Sequence, residues 1–271
     1  MTPLPGSLRQ GAVAVLETPV PADKIALTHA LASAWREGAL PLGPAVTPPP
    51  RPARPPRPEL RLPRDMPKRR AGGASASRIA LLHALAHIEL NAIDLAWDLI
   101  ARFPPPGPGF SADWLGVAAD EARHYTLLAG RLAELGAEYG DLPAHDGLWR
   151  AAEGTAHDLL ARLAVVPMVL EARGLDVTPP MIANLTQAGD HDSAAILRVI
   201  YADEIGHVAI GRRWFDAVCA TRGLAPEPTW QDLVRHHYRG VLKRPFNHQA
   251  REAAGLRSAS YELLASPGNG A

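Results

Sequence analysis

The chain has 271 residues, 47% of them hydrophobic and only 6% aromatic, and its 28 Lys and Arg balance 28 Asp and Glu. Zero net charge leaves no global field to draw in nucleic acid or an anionic membrane, and the apolar, aromatic-poor composition suits packed helices better than a β-sandwich. The only cysteine, Cys219, excludes an intramolecular disulfide and fits a reducing cytoplasm.

The first residues, Met1-Thr-Pro-Leu-Pro-Gly-Ser, lack the basic and apolar blocks of a signal peptide. No apolar run of about 18 residues is free of charges, so no membrane span is expected and the location is read as cytoplasmic. Apolar residues recur with helical period over 7–17 and 22–37, which predicts a small N-terminal helical cap over residues 1–40. Residues 41–73 change character. Pro48-Pro-Pro-Arg-Pro-Ala-Arg-Pro-Pro-Arg-Pro excludes helix and central strand and favours extended polyproline II geometry. Arg51, Arg54, Arg57, Arg61, Arg64, Lys68, Arg69 and Arg70 outnumber Glu59 and Asp65 here. Such a segment either docks an acidic partner or RNA, or is a connector wrapped along a bundle. The absence of interleaved aromatics for stacking bases favours the connector.

Residues 74–222 read as the main domain. A first helix is predicted over 75–103, preceded by Gly72-Gly73 and stopped by Pro104-Pro-Pro-Gly. A second follows over 111–135, with Ser111 as N-cap and Gly136 as its stop. The glycine-rich stretch 136–147 is longer than a hairpin turn and serves as a crossover. A third helix is predicted over 148–173, kinked or unwound near Pro167, and broken by Gly174-Leu-Asp-Val-Thr-Pro-Pro180. A short helix over 181–188 and a fourth long helix over 192–222 complete this region. A C-terminal helical extension, 223–271, contains a helix around Trp230–Tyr238. Its segment Lys243–Arg251 either caps the candidate site or packs at an edge, and its tail 266–271 is expected to fray.

The chemistry lies in a repeated pattern. Asp120-Glu121-Ala122-Arg123-His124 and Asp203-Glu204-Ile205-Gly206-His207 both read Asp-Glu-x-x-His. Glu89 lies 32 residues before Glu121, and Glu171 lies 33 before Glu204. Residues i and i+3 share a helix face, so each Glu-x-x-His can hold one metal ion. Glu89 and Glu171 sit in apolar runs, where an unpartnered carboxylate costs several kcal/mol and several together would stay protonated unless cations were present. Four Glu and two His from four helices are the donor set of a dinuclear site in a four-helix bundle. Oxygen and imidazole donors without thiolate suit two Fe ions, or Mn, or a mixed Fe/Mn pair.

Asp120 and Asp203 each precede a ligating Glu and are placed to orient the His of the opposite helix. Tyr125 and Tyr201 fall beside or one turn from ligands. His83 and His87 are four apart, with His87 two residues before Glu89 and so directed elsewhere. Tyr125, Tyr201 and His87 are therefore candidate pocket residues, each with packing as the plainer role.

These residues resemble the ferritin-like di-iron carboxylate superfamily over roughly 74–220. More closely, the strings His87-Ile-Glu-Leu, Asp113-Trp-Leu, Asp120-Glu-Ala-Arg-His124, Glu171-Ala-Arg-Gly-Leu-Asp176, Asp203-Glu-Ile-Gly-His-Val208 and Pro245-Phe-Asn247 resemble a bacterial family of unassigned function within it. The ligand layout is similar to that of the di-iron tRNA hydroxylases. The resemblance implies an all-α, ferritin-like four-helix bundle with a long crossover, flanked by N- and C-terminal helical extensions. It implies Glu89, Glu121, His124, Glu171, Glu204 and His207 as metal ligands, and an oxidoreductase that activates O2 to hydroxylate or oxidise a substrate. No catalytic residue beyond the ligands is implied. The substrate would be a small molecule or RNA. Electrons would come from an external donor, since the chain has no flavin or nicotinamide fingerprint, and a homodimer fits as well as a monomer. Two other readings compete: an iron-oxidising protein without an organic substrate, and a partner- or RNA-binding protein with a structural metal site.

Overall fold

The computed structural model describes residues 3–62, 65–66, 75–238 and 240–265. The protein is all-α and divides into two compact units, Met1–Trp149 and Arg150–Ala271.

In the first unit, α1 (Leu8–Glu17) starts at Ser7, whose hydroxyl accepts the Gln10 N–H, and buries Leu8, Ala12, Val15 and Leu16. α2 (Pro21–Arg36) returns beside it. The closest approach is at Gly11, where a Cβ would lie 2.7 Å from Leu31 Cδ2. α1 packs on α3 (Ser75–Arg102) and α2 on α4 (Phe110–Glu134), while α3 and α4 pack along their length. α3 is buried almost without interruption from Asn91 to Ala101. Among the described residues it is the one helix long and apolar enough to cross a membrane, and 67% of its apolar window is buried within the protein.

α4 begins one residue earlier than the sequence predicts. Ser111 is inside the helix and buried, and the cap is Gly109 at φ 91°. Its end is as predicted. Gly136 adopts φ 75°, and the N–H groups of Gly136 and Ala137 return to the carbonyls of Ala133 and Leu132, each at 3.0 Å.

The proline-rich segment lies against this unit. Arg51, Arg54 and Arg57 recur every third residue, the period of a polyproline II helix, so they share one face. Each meets an acid: Arg51 pairs with Asp146, Arg54 with the fully buried Asp94 at 2.6 Å, and Arg57 with Asp141 at 2.7 Å. Lys24 joins Asp94 from α2, so one buried carboxylate ties helix, helix and strap together. Beyond it, β1 (Leu60–Arg61) pairs in parallel with β2 (Ala144–His145). The remaining basic residues, Arg64, Lys68, Arg69 and Arg70, and the Gly72-Gly73 break lie outside the described residues, as does the tail 266–271.

The predicted helix over 148–173 is replaced by three pieces. α5 (Gly147–Gly154) ends, and α6 (Leu159–Val165) restarts on Asp158, whose side chain accepts the Ala161 N–H. Arg162, buried, stitches the break by donating to the Thr155 hydroxyl at 3.0 Å and the Ala152 carbonyl at 2.7 Å. Val166–Glu171 then widens into a π-helical turn. Pro167 has no N–H for the Leu163 carbonyl, so the regular i→i+4 ladder must yield here, as the sequence suggests. Trp230, on α9 (Pro226–His237), donates to the Ala164 carbonyl in this region at 3.1 Å.

The predicted break at 174–180 does not occur. α7 runs without interruption from Ala172 to Gln187 with Pro179 and Pro180 inside it. Pro179 removes the donor to the Leu175 carbonyl, and that carbonyl accepts instead from Asn247 Nδ2 at 3.1 Å. A tertiary partner supplies what the helix lacks.

α8 (His191–Arg222) packs against α7 and the π-helical turn. Its Gly211 faces Pro167, and a Cβ there would lie 2.4 Å from Pro167 Cβ. Gly211 is four residues after His207 and Pro167 four before Glu171, so this contact sets an antiparallel register one turn from both candidate ligands. The chain closes with α10 (His248–Ala253) and α11 (Ser258–Tyr261).

Gly211→Ala forces that contact apart and is expected to destabilise the second unit by roughly 1–3 kcal/mol, the usual cost of overpacking. Urea denaturation followed by circular dichroism measures this as a lower midpoint.

Candidate metal centre

The first signature is built on α3 and α4. Glu121 and His124 are three residues apart on α4, so both side chains leave the same face. Glu89 reaches them from α3. His124 Nδ1 lies 3.3 Å from Glu89 Oε2 and 3.4 Å from Glu121 Oε2. One ligand atom from each of the three can be chosen so that all lie within 4.8 Å of one another. All three side chains are buried, Glu121 and His124 completely.

The electrostatics follow from that burial. Glu89 is held well above the usual carboxylate range, first by burial and then by the charge of Glu121 beside it. Burial alone would lower His124, but hydrogen bonds and charge from Glu121 and Glu89 outweigh it and push the imidazole up to about 11. A divalent cation among these groups would balance the carboxylates without protonation. Two carboxylates and one imidazole, with no thiolate, fit an ion that prefers oxygen and nitrogen donors. The cluster can hold a metal ion.

The second signature is built on the π-helical turn and α8. Glu204 and His207 repeat the i, i+3 spacing, with His207 Nδ1 3.6 Å from Glu204 Oε1. His207 is buried and Glu204 is 12% exposed at its side chain. Glu171 ends the widened turn and opens α7.

The other sequence-predicted residues have diverse surroundings. Asp120 is half-exposed and accepts from Arg123 at 3.2 Å, a partner on its own helix. Asp203 is partly buried on α8. The hydroxyl of Tyr201 accepts from Asn247 Nδ2 at 2.9 Å. Tyr125 lies about 100° round α4 from His124 and lines a groove of about 680 Å³, together with Val20, Ile25, Pro55, Ala129 and Gly130. Its phenol packs edge-on against Tyr139, and burial raises its pKa.

His87 belongs to a different set. Its Nδ1 meets the Tyr139 hydroxyl at 2.9 Å and its Nε2 the His145 carbonyl at 3.2 Å. His83 also stacks on Tyr139 and accepts the Gly140 N–H at 2.9 Å. The two histidines anchor the loop after α4, the packing role that their i, i+4 spacing allows. Tyr139 is the residue that sequence reasoning missed. It falls in a glycine-rich stretch without periodicity, and only the tertiary fold makes it the centre of this group.

This loop anchorage predicts a pH dependence. Burial lowers the pKa of His83 from 6.5, against the opposing charge of Asp141. A depressed His pKa means that the unfolded chain binds more protons below about 6.5, so stability is complete above that pH and falls as pH drops below it. Urea midpoints at pH 7 and pH 5 are expected to differ less in His83→Phe, which keeps a ring on Tyr139 but cannot titrate, than in the wild type.

Comparison with known proteins agrees with a family still without an assigned activity. An uncharacterized protein of Haemophilus influenzae is 44% identical over 210 residues, covering 74% of this chain and 72% of its own. No solved structure matches the chain significantly. The family described as "Protein of unknown function (DUF455)" matches residues 17–262, and the chain belongs to that family.

Proposed function

We propose that the chain holds a dinuclear metal centre, with iron as the preferred metal and Mn or an Fe/Mn pair as variants, and works as an oxidoreductase that activates O2 to hydroxylate or otherwise oxidise a substrate. The observation that carries the reading is the buried group Glu89, Glu121 and His124, with ligand atoms within 4.8 Å of one another. Two further features support it. Glu204 and His207 repeat the same helical spacing at 3.6 Å. The order Glu, Glu-x-x-His, Glu, Glu-x-x-His is that of ferritin-like di-iron carboxylate proteins.

In this reading Glu89, Glu121 and His124 form one half of the ligand set, and Glu171, Glu204 and His207 the other. The carboxylates would offset the cationic charge, and His124 and His207 would each supply one imidazole nitrogen. When bound, the metal pair would supply the redox chemistry that these side chains lack. The apolar residues of α3 around Glu89 keep bulk water from its carboxylate and strengthen every charge interaction at the cluster. Electrons would come from a separate donor protein. The competing RNA-binding reading has less support, because Arg51, Arg54 and Arg57 already meet acids of their own chain.

Metal content by plasma mass spectrometry, on protein purified without chelators, is expected to give about two Fe or Mn per chain. The Glu121→Ala, Glu204→Ala double variant is expected to lose nearly all of it while keeping its helical circular dichroism. Wild-type protein without metal, well folded, would sink the proposal. An oxygen electrode tests the chemistry: the chemically reduced, iron-loaded protein should consume O2, and the double variant should not.

A further inference from the structure

The segment Pro245–Arg251 makes an unusual set of contacts with the two helices that carry the second signature. Asn247 has its whole side-chain amide engaged. Its Oδ1 accepts the Ala250 N–H at 3.2 Å and so caps α10. Its Nδ2 donates twice, to the Leu175 carbonyl at 3.1 Å and to the Tyr201 hydroxyl at 2.9 Å. Leu175 is on α7, four residues after Glu171. Tyr201 is on α8, three residues before Glu204. One NH2 group therefore joins the two helices about one turn from each ligand.

The segment that presents Asn247 is itself held firmly to α7. Asn247 donates its backbone N–H to Asp176 Oδ1 at 2.9 Å. Arg251, 2% exposed, grips Asp176 with two donors at 2.8 and 2.7 Å. The Arg251 guanidinium also lies over the edge-to-face pair Phe246 and Tyr261, 4.8 and 4.7 Å from their ring centroids. Arg173 adds donors to the carbonyls of Lys243 and Pro245 at 2.7 and 3.2 Å. A lone hydrogen bond to a tyrosine on a mobile segment would carry little information. This one is made from a segment locked to α7 by a buried ion pair, so it transmits the position of α7 to α8.

The site needs such a tie. Glu171 ends a widened turn that lacks a regular hydrogen-bond ladder, and α7 carries Pro179 and Pro180, which remove two more donors. Backbone hydrogen bonding by itself leaves the Glu171 end of α7 under-determined. The Gly211–Pro167 contact fixes one side of Glu171, and Asn247 fixes the other.

We infer that Asn247 is a positioning residue for the metal site, acting through Tyr201 and the Leu175 carbonyl to set the spacing of Glu171 against Glu204 and His207. This rests on the dinuclear reading above. Its role goes beyond capping α10, and Asn247→Asp separates the two, because the carboxylate keeps the cap but cannot donate to either helix. Tyr201→Phe removes only the α8 arm.

The test is titration of the metal-free protein with Co²⁺, followed by visible absorption and calorimetry, with urea unfolding of each variant in parallel. The wild type is expected to take up two ions. Asn247→Asp is expected to bind at least one of them 10–100-fold more weakly with an altered ligand-field spectrum, and Tyr201→Phe to shift in the same direction by less. If both variants bind Co²⁺ like the wild type and differ only in stability, Asn247 is purely structural and the inference is overturned. If the wild type itself binds no Co²⁺, the dinuclear reading falls and the positioning role falls with it.

Discussion

Two carboxylates buried beside one another in an apolar helix pair are the constraint on which the rest of the first unit depends. Glu89 and Glu121 cannot both carry charge there without a cation, and the nearby imidazole of His124 answers only part of that demand. A mutation to alanine or leucine would remove the electrostatic cost at once, so the cluster is not there for stability. The surrounding structure tolerates it by being overdetermined: α3 is buried over its central turns, α4 ends in a tight glycine cap, and α1 and α2 cover their outer faces. Rigid helices hold the three donors at a spacing that suits a metal ion, and the same rigidity prevents the carboxylates from turning away to solvent.

The second unit carries its Glu-x-x-His pattern beside less regular backbone. Pro167 opens the helix just before Glu171, and the two prolines of α7 weaken it just after. Contacts from elsewhere in the unit support this backbone, and one of them replaces a lost donor, at the Leu175 carbonyl. Trp230 reaches the Ala164 carbonyl, Asn247 the Leu175 carbonyl, and Gly211 lets α8 approach Pro167. Irregularity at a turn that ends in a candidate ligand, supported by distant side chains, is the arrangement expected where a site needs room or adjustable geometry.

How much of this was legible in the sequence varies with the kind of signal. The long helices α3, α4 and α8 were readable from apolar periodicity and their stops, because those signals are local. The spacing of Glu121 to His124 and of Glu204 to His207 was readable for the same reason, since i and i+3 share a face on any helix. Pro167 announced an interruption, though not its π-helical form. Pro179 and Pro180 misled, because the rule that proline ends a helix assumes no donor from elsewhere, and Asn247 lies 72 residues from the carbonyl that it satisfies. Ser111 misled for a smaller reason, since Gly109 at positive φ starts the helix sooner. The three-residue spacing of Arg51, Arg54 and Arg57 was visible, but the acids that meet them come from α3 and from the loop after α4, which no local pattern predicts.

Those three arginine contacts differ in how far water reaches them. The Arg54–Asp94 pair is shielded, with Asp94 fully buried, whereas Arg57 and Asp141 are 67% and 41% exposed. Mobile ions screen exposed pairs and scarcely affect buried ones. Rising ionic strength should therefore loosen the strap unevenly, most at Arg57 and least at Arg54, with the half-exposed Arg51 between them in sensitivity. The proline-rich segment is in this sense a fastening with one central pin at Arg54, which only unfolding of the helices releases, and salt-sensitive contacts on either side of it.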